Sequence, residues 1–155
     1  MTPGKKTLRL MEEAPLFQDL NAADLELLLT VAEEEVYNPE ASVVAEGARG
    51  DALFVILEGS VDIVKAGKKG PVTLVTLGPK DFFGEMSLID QEPRSASAVS
   101  ATKTTVLRFP SDQICALLEG KSRILSLLIT RIARNLSQRL RMADEQILAL
   151  IEAGE

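Results

Sequence analysis

The sequence predicts a mainly β chain flanked by helices: a sandwich, jelly roll or barrel, with helices before it and a long dimerisation helix after it. Three observations predict this. Through the middle of the chain apolar residues alternate with a period of two, in roughly eight short runs with turn signals every 8–12 residues. A helical period holds before about Ala32 and again after Ser111. No helical segment separates the strands, as a parallel α/β sheet would require. The 155 residues, 46% apolar and 26% charged, are enough for one domain and too few for two ordinary ones.

Residues 1–32 read as N-terminal helices. A short amphipathic piece with Leu8 and Met11 stops at Pro15. Asn21 caps a second helix, with Asp24 three residues on as the acidic partner of a capping box. Leu25, Leu28 and Leu29 form its apolar stripe.

Residues 33–110 read as the β unit. The strongest strand has Leu53, Val55 and Leu57 on one face and Phe54 and Ile56 on the other. Gly59-Ser60 breaks it, Val61 and Ile63 resume opposite Asp62, and residues 66–71 form a turn before Val72, Leu74 and Thr76. Gly78-Pro79 is a second breaker, and further strands fit Ser42–Glu46, Ser95–Ala101 and Thr105–Phe109.

Residues 111–152 read as two helices. Ser111, after Pro110, suits an N-cap, and Cys115 on the short first helix is expected to be a small buried residue. Gly120 divides this helix from a long one running from about Ser122 to Ile151. On it Ile129, Ala133, Leu136, Leu140, Ala143, Ile147 and Leu150 recur at alternating spacings of four and three, a heptad seam. The seam predicts a parallel homodimer in which Arg139 meets the partner's Asp144, with Leu125, Leu128 and Ile132 facing the helix's own domain. The alternative is a helix packed back on its own sheet.

Composition removes several functions. There is no His, which excludes most zinc sites and histidine-based acid–base chemistry, and the lone Cys115 excludes an internal disulfide or an iron–sulfur site. No metal and no cofactor is expected. A net charge of −6 argues against a nucleic-acid binder as a whole. Lys121, Arg123, Arg131, Arg134, Arg139 and Arg141 form a locally basic helix, read as a solvated face rather than an anion or nucleic-acid contact. No apolar run approaches the ~20 residues of a membrane span, and no signal core is present, so a cytoplasmic, non-enzymatic binding module is expected.

Residues 82–98, FFGEMSLIDQEPRSASA, are the sharpest feature. A strand ends at Phe83, Gly84 turns the backbone, and Glu85 to Leu88 start one helical turn whose open N–H groups favour an anion. Arg94 follows nine residues after Glu85 and offers a bidentate fork for phosphate. Glu85 and Arg94 therefore suit a ligand with hydroxyls to donate and a negative phosphate; the bland alternative is a structural ion pair at a turn.

The segment resembles the phosphate-binding cassette of cyclic nucleotide-binding domains, through Phe-Gly-Glu-Met-Ser-Leu and then Pro-Arg-Ser-Ala, with likeness from about Pro15 to Ile147. The resemblance implies a double-stranded β-helix (jelly roll or β-roll) with a B helix and a closing C helix. It implies that Glu85 accepts from the ribose 2′-hydroxyl and Arg94 pairs with the cyclic phosphate. Backbone amides of Gly84, Ser87 and Ser95 are implied as further contacts, with Met86 and Ala96 completing the cassette. Asn135, Arg139 and Leu140 are candidates for base or lid contacts. The expected ligand is cyclic AMP or cyclic GMP, with a slight preference for cyclic AMP, and its binding is expected to move the C helix. Catabolite activator-like regulators continue into a helix-turn-helix domain; here Glu-Ala-Gly-Glu follows Ile151, so a stand-alone sensor with no DNA or membrane contact and an unidentified downstream protein is expected. A ligand-independent dimerisation or protein-interaction module of the same fold is the alternative.

Overall fold

The computed structural model describes residues 4–90 and 92–154. Two four-stranded antiparallel sheets carry the fold. Strands β1 (Glu33–Tyr37), β8 (Thr104–Pro110), β3 (Ala52–Glu58) and β6 (Phe82–Phe83) form one, in that order. Strands β2 (Ser42–Val44), β7 (Ser97–Ser100), β4 (Val61–Gly67) and β5 (Gly70–Leu77) form the other. Apart from the β4–β5 hairpin, sequence neighbours alternate between the two sheets.

The period-two pattern of β3 decides where the layers sit. Ala52, Phe54 and Ile56 enter one apolar cluster with Val61, Leu77, Phe83, Ala98 and Val106, between the sheets. Leu53, Val55 and Leu57 enter a second, with Leu107, Phe109 and the helices. The first sheet is therefore covered on both faces, which is why β3 reads as an unbroken apolar run. Phe54 and Phe83 stack at 4.9 Å, seating β6 against β3 where the cassette begins.

Helices α1 (Lys5–Glu13), α2 (Ala22–Leu29), α3 (Ser111–Leu117) and α4 (Ser122–Ala153) pack on the outer face of that sheet, with a 3-10 turn at Pro15–Phe17. The capping box is formed as expected: the Asp24 amide donates to Asn21 Oδ1 and the Asn21 amide to Asp24 Oδ2, at 2.9 and 3.0 Å. The hairpin turn at 66–71 is tighter than expected, because the strands pair through Gly67 and Gly70 and leave only Lys68 and Lys69 between them.

Several expectations about the C-terminal helices need correction. Pro110, not Ser111, is the N-cap of α3, and no side chain caps it. Cys115 is exposed: Ile114 and Leu118, one turn apart, take the buried face of α3 and leave Cys115 outward. On α4 the buried set is Ile124, Leu128 and Ile132, while Leu125 is 37% exposed. Leu136, assigned to the dimer seam, is partly buried and also packs against this chain's own core. Beyond it the seam is bare: Leu140, Ile147 and Leu150 are 63%, 54% and 74% exposed. Three of the six basic residues meet carboxylates of the same chain, Arg123 on Asp24, Arg131 on Asp19 and Arg139 on Glu85. No helix among the described residues is long and apolar enough to cross a membrane.

Candidate functional site

The site is built around Gly84. Its φ of +77° is a left-handed conformation that glycine adopts without strain, and a Cβ there would lie 2.7 Å from both the Ala52 carbonyl and Arg94 Nη1. Glycine thus does two things: it turns the chain out of β6 and it lets the Arg94 guanidinium slide beneath the turn. The 3-10 turn Glu85–Leu88 follows at once, as expected from the sequence.

Arg94 is held from several sides. Its amide donates to the Ala48 carbonyl and its carbonyl accepts from Gly47, both at 2.8 Å. Its Nη2 donates to the Ala52 carbonyl at 3.0 Å and lies 3.8 Å from Asp51 Oδ1. Its guanidinium carbon sits 5.9 Å from the centre of the Phe54 ring. Only 8% of the side chain is exposed. Burial pulls its pKa below the usual arginine range, and the charges of Asp51 and Glu85 oppose that shift.

Glu85 is also buried, at 3% exposure. Its Oε1 accepts from Arg139 Nη1 on α4 at 3.0 Å, across 54 residues of sequence. Arg139 Nη2 donates to the Phe82 carbonyl at 3.3 Å, and its guanidinium lies 6.0 Å from the Phe82 ring centre. The cassette and α4 are thus joined by a charged contact on the very carboxylate expected to meet a ligand.

Ser87 closes the site on the other side. Its hydroxyl donates to the Gly84 carbonyl and accepts from Ser111 Oγ, each at 2.8 Å. The sequence expected its amide to face a ligand; here that amide donates to the Gly84 carbonyl at 3.2 Å and closes the turn. Ser111, displaced from its expected capping role, fastens α3 to the cassette.

The remaining expected residues are placed unevenly. Met86 is 44% exposed, Ser95 is exposed and Ala96 is half-buried. The Ser95 carbonyl accepts from Lys65 Nζ at 2.6 Å, and that ammonium lies 3.3 Å from Glu46. Leu140 is exposed, beyond the roll. Asn135 lines a cleft with Pro15, Leu16 and Phe82 whose lining includes neither Glu85 nor Arg94. The structure therefore brings together Gly84, Glu85, Ser87, Arg94 and Arg139. Asp51, Phe54, Lys65 and Ser111 were not anticipated; the only signal for Asp51 was a carboxylate at the entry to the strongest strand.

The family model for the cyclic nucleotide-binding domain matches residues 34–121 of this chain. The cyclic AMP receptor protein of Thermus thermophilus is 34% identical over 138 residues, covering 88% of this chain and 62% of that protein. A cAMP-dependent protein kinase regulatory subunit of Yarrowia lipolytica is 32% identical over 102 residues, covering 66% of this chain and 27% of that protein. A crystal structure of a cyclic nucleotide-binding domain from Methylobacillus flagellatus superimposes with a TM-score of 0.80 at 28% identity, covering 93% of this chain and 82% of that one. The chain thus spans less than two thirds of either curated relative.

Proposed function

The chain belongs to the cyclic nucleotide-binding domain family, and on that premise we propose that it is a non-catalytic cytoplasmic receptor for cyclic AMP whose ligand repositions α4. The observation that carries this reading is the burial of two opposite charges beside one glycine: Glu85 at 3% exposure and the Arg94 side chain at 8%. Burying charges costs free energy unless partners compensate. Among the described residues Arg94 has only a carbonyl and a 3.8 Å carboxylate, so its fork retains N–H groups for a phosphate. Glu85 accepts a single hydrogen bond among the described residues, so its second oxygen remains for a ribose hydroxyl.

In this reading the cyclic phosphate lies over Arg94 and the amides of Gly84 and Ser95. Met86 and Ala96 border the sugar, and the base is held between the roll and α4. The ligand's hydroxyl on the second Glu85 oxygen then shares the carboxylate's charge with Arg139. Binding loosens the contact that joins α4 to the cassette, and the helix responds by a shift in population limited by the ligand's differential affinity. Ile129, Leu140, Ala143, Ile147 and Leu150, with the half-buried Leu136, supply the homodimer seam that would relay the movement to a downstream protein. Cyclic AMP is preferred to cyclic GMP because the Thermus and Yarrowia relatives are both named for it.

Calorimetric titration with both nucleotides tests the proposal. Saturable binding, tighter for cyclic AMP, is expected. No heat with either nucleotide at about 100 µM protein, a concentration well above micromolar dissociation constants, together with no thermal shift, would leave the ligand-independent interaction module as the better account.

A further inference from the structure

The cassette ends where the β4–β7 ladder gives out. Backbone pairing between these strands runs from Val61–Ser100 to Val64–Ser97 and stops there. One residue further along β4 a side chain takes over: Lys65 Nζ donates to the Ser95 carbonyl at 2.6 Å and lies 3.3 Å from Glu46 Oε1. Glu46 closes the frame from the other flank. Its amide donates to Ser97 Oγ at 2.9 Å, and its Oε2 accepts from the Ala66 amide at 3.0 Å. That amide, and then Lys65, hold the Glu46 carboxyl below the ordinary carboxylate range, so it is ionised at neutral pH.

The frame fixes one peptide plane. A trans peptide is planar, so the Ser95 carbonyl and the Ala96 N–H point in opposite directions. With the carbonyl held by Lys65, the Ala96 N–H is turned to the far side. Neither it nor the Ser95 N–H has a hydrogen-bond partner among the described residues. The residue before them is Arg94, whose own amide and carbonyl are both occupied, by Ala48 and Gly47. Two open donors thus follow directly on the residue that bears the guanidinium, and a lysine outside the cassette sets how the second of them is aimed.

We propose that Lys65 is a positioning residue of the nucleotide site: by holding the Ser95 carbonyl it aims the Ala96 amide at one exocyclic oxygen of the cyclic phosphate, while Arg94 takes the other. The inference rests on the cyclic nucleotide reading. Glu46 balances the lysine charge, so Lys65 acts through orientation rather than by adding attraction for the anion. The ligand that feels this is a phosphodiester with two distinguishable exocyclic oxygens.

The test is calorimetry of the whole chain, Lys65→Met and Lys65→Arg with cyclic AMP and with its two phosphorothioate diastereomers, which carry sulfur at one or the other exocyclic position. Lys65→Met is expected to weaken cyclic AMP about three- to tenfold, the worth of one hydrogen bond, and Lys65→Arg to restore most of the loss. The diastereomer with oxygen facing Ala96 should lose affinity as cyclic AMP does. The one with sulfur there, the weaker acceptor, should lose little. A merely structural role would weaken both alike. Lys65 is half exposed, so the Tm of Lys65→Met is expected within about 4 °C of wild type. Unchanged cyclic AMP affinity in Lys65→Met, or equal losses for the two diastereomers, would overturn the proposal. A wild type that binds no cyclic AMP would overturn the nucleotide reading and this inference with it, whereas an insensitive Lys65→Met leaves that reading standing.

Discussion

Replacing Arg139 with alanine removes the charged contact between α4 and the cassette, and the structure sets the size of the effect. Stripping one partner from a fully buried ion pair costs about 3–5 kcal/mol, because the other charge is left uncompensated. Glu85 meets that condition, with 4% of its side chain exposed, but Arg139 does not, at 39%. Water screens the arginine and can reach the vacated volume, which brings the expectation down to about 1–2 kcal/mol. For a chain of this length that is a fall in Tm of about 2–8 °C. The assay is urea denaturation of wild type, Arg139→Ala, Glu85→Gln and the double variant, with the coupling free energy taken from the cycle. A coupling of about 1–2 kcal/mol is expected. Coupling below about 0.3 kcal/mol, the limit expected for independent sites, would refute the contact as an energetic link and with it the route by which a ligand at Glu85 moves α4.

Three further outcomes follow from the same geometry. Arg94→Ala should weaken cyclic AMP binding by about 2–4 kcal/mol, the loss of a charge-assisted contact that leaves the phosphate partly unpaired, and calorimetry showing an unchanged affinity would contradict the assignment. Tyr37 is the sole tyrosine and there is no Trp; burial and then its hydrogen bond to Glu35 push its pKa up to about 12. Absorbance at 295 nm should therefore titrate near 12 rather than at the ordinary 10.0, and the folded state should lose stability as pH rises between those values. Asp24 is held below the ordinary carboxylate value by Arg123, with a smaller contribution from the Asn21 amide. A lowered folded pKa contributes stability above the unfolded value and loses it on acidification, so Arg123→Ala should cost stability at neutral pH and flatten the acid limb of a Tm-against-pH curve; an unchanged acid limb would show that the pair adds nothing.

Much of this fold was legible because its signals are local. The capping box needs only Asn21 and Asp24, three residues apart, and it formed. The alternation in β3 separates two apolar clusters, and the strand reports both without knowledge of its neighbours. Gly84 followed by a helical turn was likewise readable. What escaped depends on rotation or distance. Ile124 and Leu125 are adjacent and both apolar, so composition cannot say which one α4 turns inward; packing against the first sheet selected Ile124. Cys115 failed for the same reason on α3. The Arg139–Glu85, Lys65–Ser95 and Ser111–Ser87 contacts span 54, 30 and 24 residues, and no local pattern encodes them. Gly84, Glu85, Ser87 and Arg94 could therefore be named as candidates from their types and positions, while the groups that clamp them emerged only from the fold.

The sharpest probe of the site is calorimetry of the unaltered chain with cyclic AMP against its 2′-deoxy analogue, repeated on Glu85→Ala. If Glu85 accepts from the sugar hydroxyl, the deoxy compound binds wild type about ten- to a hundredfold more weakly, the worth of a hydrogen bond to a charged group, and Glu85→Ala erases the difference. Equal affinities of the two compounds for the unaltered chain would contradict the recognition assigned to this carboxylate.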